Sequence, residues 1–216
     1  MIAVDICGND NSLLAFKTLN QNTKLDFATH CALQSMGKQY RKARFRSTIG
    51  SDETVFNDPK INIPGILLSR HPYKEYHTNK DTPDKINYEK IQETADYIIK
   101  IIDIYEKDFI PVRNFHGPLM RSRYGMQSIS KQVNLNRDYF FYAMDGKKSL
   151  VELCGEYEMP FDVVYEEIKK IEADGKIIRG SNVGERGKLK TTRKKSFRLP
   201  RGSNVRGKSK KMSKDI

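Results

Sequence analysis

Residues 87–107 constrain this chain more than any other stretch. Tyr88, Ile91, Ala95, Ile98, Ile99, Ile102 and Tyr105 recur at helical spacing. That pattern predicts one long amphipathic helix from Asn87 to about Lys107, with the stripe packed into a core. Shorter apolar runs stand ahead of it. Ile2 to Cys7 is apolar and β-branched and breaks at Gly8-Asn9-Asp10-Asn11, which is strong turn chemistry. Leu13 to Lys17 reads as the next strand. Lys42 to Arg46 alternates as a strand would, and Ile63 to Leu68 reads as a buried strand. Thr23 to Met36 reads as a helix, with Thr23 as N-cap and Asp26 at the third helical position. Asp26 and His30, four apart, read as a solvent-facing pair on it. Strands interleaved with helices make an α/β class.

The buried run ending at Leu68 leads into Tyr76-His77-Thr78-Asn79-Lys80-Asp81-Thr82-Pro83-Asp84. A histidine beyond the C-terminal end of a buried strand stands where open α/β sheets place ligands. A lone loop histidine is more often a surface or hydrogen-bonding residue, so composition alone does not make His77 a metal ligand. Two further acids, Asp52 and Glu53, follow Gly50-Ser51. They read either as the first turn of a helix capped by Ser51 or as a carboxylate pair with separated pKa values. Arg70 is suited to a substrate carboxylate or phosphate, or to an ion pair with Asp52, Glu53 or Asp81.

Ser51-Asp52-Glu53, Ile63-Pro64-Gly65, Tyr76-His77-Thr78 and Asp81-Thr82-Pro83-Asp84-Lys85-Ile86 together resemble the C-terminal part of the zinc aminopeptidase fold with two co-catalytic metals. With Asp145-Gly146-Lys147-Lys148-Ser149-Leu150 downstream, the chain looks most like the aminopeptidase-like proteins associated with polysaccharide biosynthesis, which end in a winged-helix domain. The resemblance runs from residue 1 to about 178. It implies a partial aminopeptidase-like (phosphorylase/hydrolase-type) sheet with helices, then a small winged helix-turn-helix module and a disordered basic tail.

The resemblance also implies a zinc site with His77 as the last metal ligand. Asp5, in Asp5-Ile6-Cys7-Gly8, matches a ligand pattern Asp-x-x-Gly, or else is a strand-end carboxylate capping a turn. Asp52, Glu53, Tyr76, Asp81 and Arg70 are implied as supporting or substrate-contacting residues, an acid being what a free α-amine needs beside it. One histidine and one aspartate fall short of the three protein ligands of a catalytic zinc. In the family an earlier half of the fold supplies the others and the catalytic glutamate. The chain is therefore expected to be a C-terminal portion, inactive alone, with peptide-like or amino-sugar-like substrates when completed. The alternative is a non-catalytic binding or scaffold protein.

Four segments are expected: the aminopeptidase-like part at 1–108, a wrapping linker at 109–136, the winged-helix module at 137–178 and the basic tail at 179–216. In the module, Ser149 to Tyr157 reads as a short helix. Pro160 opens a second one carrying Phe161, Val164, Tyr165, Ile168 and Ile171 on one face, and Ile177-Ile178 is the first wing strand. The second helix also carries Asp162, Glu166, Glu167 and Glu172, a face that phosphates would repel. The module is therefore read as a protein-contact or homo-oligomer surface.

The net charge of +12 lies wholly in the tail, which has fourteen Lys/Arg against two Asp/Glu, leaving twenty-five of each sign elsewhere. Such a tail suits weak, sequence-independent nucleic-acid binding. The three cysteines are widely spaced and suggest no disulfide framework, which fits a cytoplasmic setting. No apolar run approaches a membrane span. The N-terminus has no signal-peptide pattern and reads as entering directly on an internal strand. No nucleophile elbow, phosphate loop or His-Glu-x-x-His appears.

Overall fold

The computed structural model describes residues 1–37, 39–125 and 131–180, and for residues 131–136 the backbone alone. The expected tail lies outside these residues beyond its first two. The elements run β1 (Ile2–Val4), β2 (Leu13–Phe16), α1 (Lys24–Ser35), β3 (Tyr40–Ala43), α2 (Glu53–Phe56), β4 (Ile66–Ser69) and α3 (Tyr88–Lys107). Then follow β5 (Ile110–Arg113), α4 (Lys131–Tyr142), α5 (Leu150–Glu156), α6 (Phe161–Ala173) and β6 (Ile177–Gly180). The described residues form one compact unit. Among the described residues no helix is long and apolar enough to cross a membrane.

The four-stranded sheet has the order β1-β4-β2-β3. β1 and β4 are parallel, β2 and β3 are parallel, and the two pairs meet antiparallel between β4 and β2. Every residue of β2 and β4 is buried, as befits central strands with both faces covered. β1 lies at an edge of the described sheet rather than inside it.

α1 forms where its capping signal stands. The Thr23 side chain and the Asp26 carboxylate make a reciprocal capping box. Asp26 does more than cap. Its Oδ1 accepts from the Thr18 backbone N–H at 2.8 Å, and its Oδ2 accepts from the Thr18 hydroxyl at 2.6 Å, the Thr23 N–H at 2.9 Å and the Thr23 hydroxyl at 2.7 Å. Asp26 is therefore buried and knots the β2–α1 turn, not half of a solvent-facing pair with His30.

α3 begins after its Asn87 cap and ends at Lys107, as its periodicity predicts. Its buried face differs. Thr94, Tyr97, Ile101 and Ile104 pack inward, whereas Tyr88 and Ile99 are 74% and 64% exposed and Ile91, Ile102 and Tyr105 also face out. In the second half of the helix the apolar arc is wide, facing away from Lys100, Asp103 and Lys107, so periodicity left two competing faces within it. α2 starts one residue later than a Ser51 cap implies. Asp52 stands at its N-cap position with no side-chain cap bond.

One apolar core continues from the sheet through α1 and α3 into α5 and α6, joining Leu13, Ala28, Ile66 and Ile101 to Leu153, Phe161 and Ile168. α5 lies so close on α1 that a Cβ at Gly155 would come within 2.3 Å of the Phe27 ring. Within the stretch read as a wrapping linker, β5 pairs antiparallel with β6, placing Val112 opposite Ile178. Cys31 and Cys154 are buried thiols in this core, and burial pushes Cys31 up to about 12.

Asp26→Ala should destabilise the chain by about 1–3 kcal/mol, because four donors lose a buried acceptor and the helix loses its cap. A lower urea midpoint with an unchanged slope is the expected reading.

Candidate functional site

β1 and β4 end side by side. The Asp5 N–H donates to the Leu68 carbonyl at 3.1 Å, and the Arg70 N–H donates to the Ile6 carbonyl at 3.2 Å. Because β4 lies between β1 and β2, the connection of residues 5–12 must cross over the end of β4. A crossing turn carries backbone carbonyls that need donors once covered. Arg70 supplies them. Its fully buried guanidinium donates through Nε to Cys7 O at 3.2 Å, through Nη1 to Asn11 O at 2.5 Å and through Nη2 to Lys90 O at 3.3 Å. Nη2 also pairs with the Glu93 carboxylate at 3.1 Å. Arg70 is thus spent internally, and its partner is none of the three acids expected. The strand end aims the side chain beneath the turn and onto α3.

The same turn is held from the other side. The Asn11 side chain donates to Arg70 O at 3.2 Å, the Asn87 N–H donates to Gly8 O at 2.7 Å, and Asn87 Nδ2 donates to Asp10 Oδ1 at 2.6 Å. Cys7 sits inside this turn, with burial raising its thiol above the ordinary range. That is the opposite of an activated nucleophile.

Over these fixed loops lies a cleft of about 320 Å³, whose walls include Asp5, Asn9, Tyr73, Tyr76, Asp81 and Lys85, with Ile6, Ile86 and Ile91 as apolar lining. Tyr73 Oη donates to Asp81 Oδ1 at 3.0 Å. Three expected residues, Asp5, Tyr76 and Asp81, therefore come together. His77 is exposed, adopts φ +58° and stacks its ring on Tyr76 at 3.8 Å, outside the residues that line the cleft. The left-handed backbone, tolerated better by histidine than by branched residues, is what lays the two neighbouring rings together.

Asp52 and Glu53 stand elsewhere. Asn57 Nδ2 ties Glu53 O to Gly65 O at 2.8 Å each, which places α2 at the beginning of β4. Asp5 and the 71–86 loop lie beyond the end of that strand. Glu53 is buried and accepts from the Ser51 N–H at 2.9 Å, so the helix-turn reading describes it. Sequence reasoning missed Tyr73, Asn9 and Lys85 as cleft residues and Glu93 as the partner of Arg70. Glu93 stands four residues before the buried Tyr97, one turn along the inward face, and only the correct helical face would have marked it.

The donor set does not fit a catalytic zinc. Among the described residues no three His, Cys, Asp or Glu side chains lie close enough together to hold a metal, against the three protein ligands such a zinc takes. Asp5 and His77 are two.

The family model that matches, over residues 2–108, is described only as a domain of unknown function, DUF4910. The chain is 25% identical, over 170 residues, to a Clostridium acetobutylicum protein named "putative polysaccharide biosynthesis protein with aminopeptidase-like domain". That alignment covers 73% of this chain and 38% of the relative. A crystal structure of a "putative peptidase" from Clostridium acetobutylicum superposes with a TM-score of 0.65 at 18% identity, over 83% of this chain and 41% of that one. An aminopeptidase from Aneurinibacillus sp. strain AM-1 aligns over 47% of this chain and 24% of its own, with a TM-score of 0.40 and 21% identity. The chain is thus homologous to a protein with an aminopeptidase-like domain and shares a peptidase-like α/β fold. It spans about two fifths of the length of these Clostridium relatives.

Arg70→Met removes the charge that Glu93 faces and the donors of three carbonyls. A loss of about 3–5 kcal/mol is expected, the range for breaking a buried ion pair from one side, measured by urea unfolding. Arg70→Lys should recover only part, since an ammonium lacks the planar five-donor fork.

Proposed function

We propose that this chain forms part of a peptidase-like hydrolase of the aminopeptidase type, and that the cleft beyond β1 and β4 holds an amine-bearing substrate, a peptide N-terminus or an amino sugar. The observation that carries this is the meeting of Asp5, Asp81 and Tyr76 in one cleft past the carboxyl ends of two parallel strands, where α/β sheets bind ligands. Two carboxylates suit an ammonium group. The Tyr76 ring offers a face to a cation or to a sugar ring. Ile86 and Ile91 give apolar surface to a side chain.

A zinc-dependent hydrolysis in this fold would need ligands beyond Asp5 and His77. The chain alone should therefore release no product from an aminoacyl p-nitroanilide, with or without added zinc. The outward apolar face of α3, with Ile99 and Ile102, is the surface on which further residues of such a hydrolase would pack.

The second reading is a non-catalytic binding protein. Under it, α4 to α6 with the β5–β6 pair would serve as the winged helix-turn-helix module. The acids of α6 are paired with bases, Asp162 with Lys100, Glu167 with Arg137 and Glu172 with Arg179. That suits protein contact or self-association better than a phosphate backbone. Under it, non-specific nucleic-acid binding belongs to the basic tail, outside the described residues.

Titration of the isotope-labelled chain with glucosamine and leucinamide, followed by amide chemical shifts, tests the cleft. Shifts should concentrate at residues 5–9 and 73–86, and N-acetylglucosamine, which has no cation, should give none. Asp81→Asn should weaken glucosamine binding by about tenfold, the scale of one charge-assisted hydrogen bond. Equal shifts with the acetylated sugar would rule out amine recognition.

A further inference from the structure

The sheet is two parallel pairs set antiparallel, so it has two carboxyl ends. The cleft described above occupies one. At the other, β2 and β3 run out side by side, and the Lys17 N–H donates to the Ala43 carbonyl at 3.0 Å. Between this end, α1 and α5 lies a second cavity of about 160 Å³. Lys17, Lys42, His30, Thr29, Phe27 and Leu33 are among the residues that form it.

Its chemistry is cationic over an apolar floor. Neither Lys17 nor Lys42 has a carboxylate within ion-pair distance among the described residues. The two lysines repel each other, and burial together with Lys17 lowers Lys42. Lys42 Nζ lies 2.7 Å from His30 Nδ1, which must accept, leaving the imidazole proton on Nε2. Burial, then Lys42, lowers the His30 pKa. Asp26, which also lines the cavity and is held by Thr18 and Thr23, offsets one of the two lysine charges, and Glu158 is exposed. Thr29 is 5% exposed, and its Oγ1 has no hydrogen-bond partner among the described residues. An unpartnered buried hydroxyl costs free energy unless something binds it.

We propose that this second cavity is a binding site for a small carboxylate on a short apolar body. Its volume is several times the ~30 Å³ share of one water and below the ~300–1,000 Å³ of pockets for drug-sized ligands. Lys17 and Lys42 set against Asp26 leave one excess positive charge, which a single carboxylate balances. A phosphate dianion would cost more to desolvate against Phe27 and Leu33. The inference is independent of the amine-binding cleft, which lies at the opposite end of the sheet.

The test is a titration of the full chain, by amide chemical shifts at constant ionic strength, with 3-methylbutanoate, benzoate, the neutral 3-methylbutanamide and inorganic phosphate. Both carboxylates should shift residues 15–17, 29–33 and 42, and the amide should not. The Lys17→Met/Lys42→Met double variant should weaken carboxylate binding by about tenfold or more. Thr29→Val, which removes an unpaired hydroxyl and should not unfold the chain, should also weaken it, and it serves should the lysine variant fail to fold. Equal binding of acid and amide, phosphate binding in place of the carboxylates, unchanged affinity in the variants, or no shift with any probe would each overturn the assignment.

Discussion

A buried guanidinium under a crossing turn is the constraint on which the rest of this structure depends. β4 separates β1 from β2, so the chain must pass over the end of β4 to make its second strand. The turn that does so points carbonyls inward, away from water. Neutral donors could serve one or two of them. Arg70 serves Cys7, Asn11 and Lys90 at once and spends its charge on Glu93. Taking an arginine wholly out of water is costly, and only a full set of partners offsets that cost. The reward is registration: strand, turn and helix α3 are locked through one side chain.

That locking explains why the cleft is pre-shaped. Its walls come from the two loops that Arg70 and its neighbours hold, residues 5–12 and 71–86, and from the first turn of α3. Asp5 and Ile6 lie just before the carbonyl that Arg70 binds. Ile91 lies just after the one it binds on α3. Arg70, read from sequence either as touching substrate or as pairing with an acid, thus acts one layer beneath the surface that would touch substrate. The acids and tyrosines of the cleft need not pay for their own order.

Local signals in the sequence were legible wherever a short-range interaction decides the structure. The Thr23 and Asp26 capping box lies within one turn, and the helices expected from Asn87 and from Ser149 begin one residue after each. The mixed α/β class followed as well. What could not be read was set by long-range packing. An apolar arc as wide as that of α3 does not say which stripe turns inward. Without that face Glu93 is only one of several surface acids. Asp26 looked like half of an exposed pair because its partners Thr18 and Thr23 satisfy it from the preceding turn. Glu53 fell at the far end of β4 because the direction of a strand, not distance in sequence, decides which end a flanking residue reaches.

The opposed strand pairs also give the electrostatic layout a physical basis. Parallel neighbours end together, so each pair brings two chain exits and their flanking side chains to one place. At the β1–β4 end the exits carry Asp5 and, from the following loop, Asp81. At the β2–β3 end they carry Lys17 and Lys42. With twenty-five residues of each sign ahead of the tail, the body has no net charge, yet it is not electrostatically uniform. Lys85 stands in the first recess and Asp26 in the second, and the excess charge left at one end does not neutralise that at the other across a low-dielectric sheet. A sheet built this way presents an acidic recess and a basic recess back to back, and the fold itself, through the antiparallel join of β4 and β2, keeps the two apart.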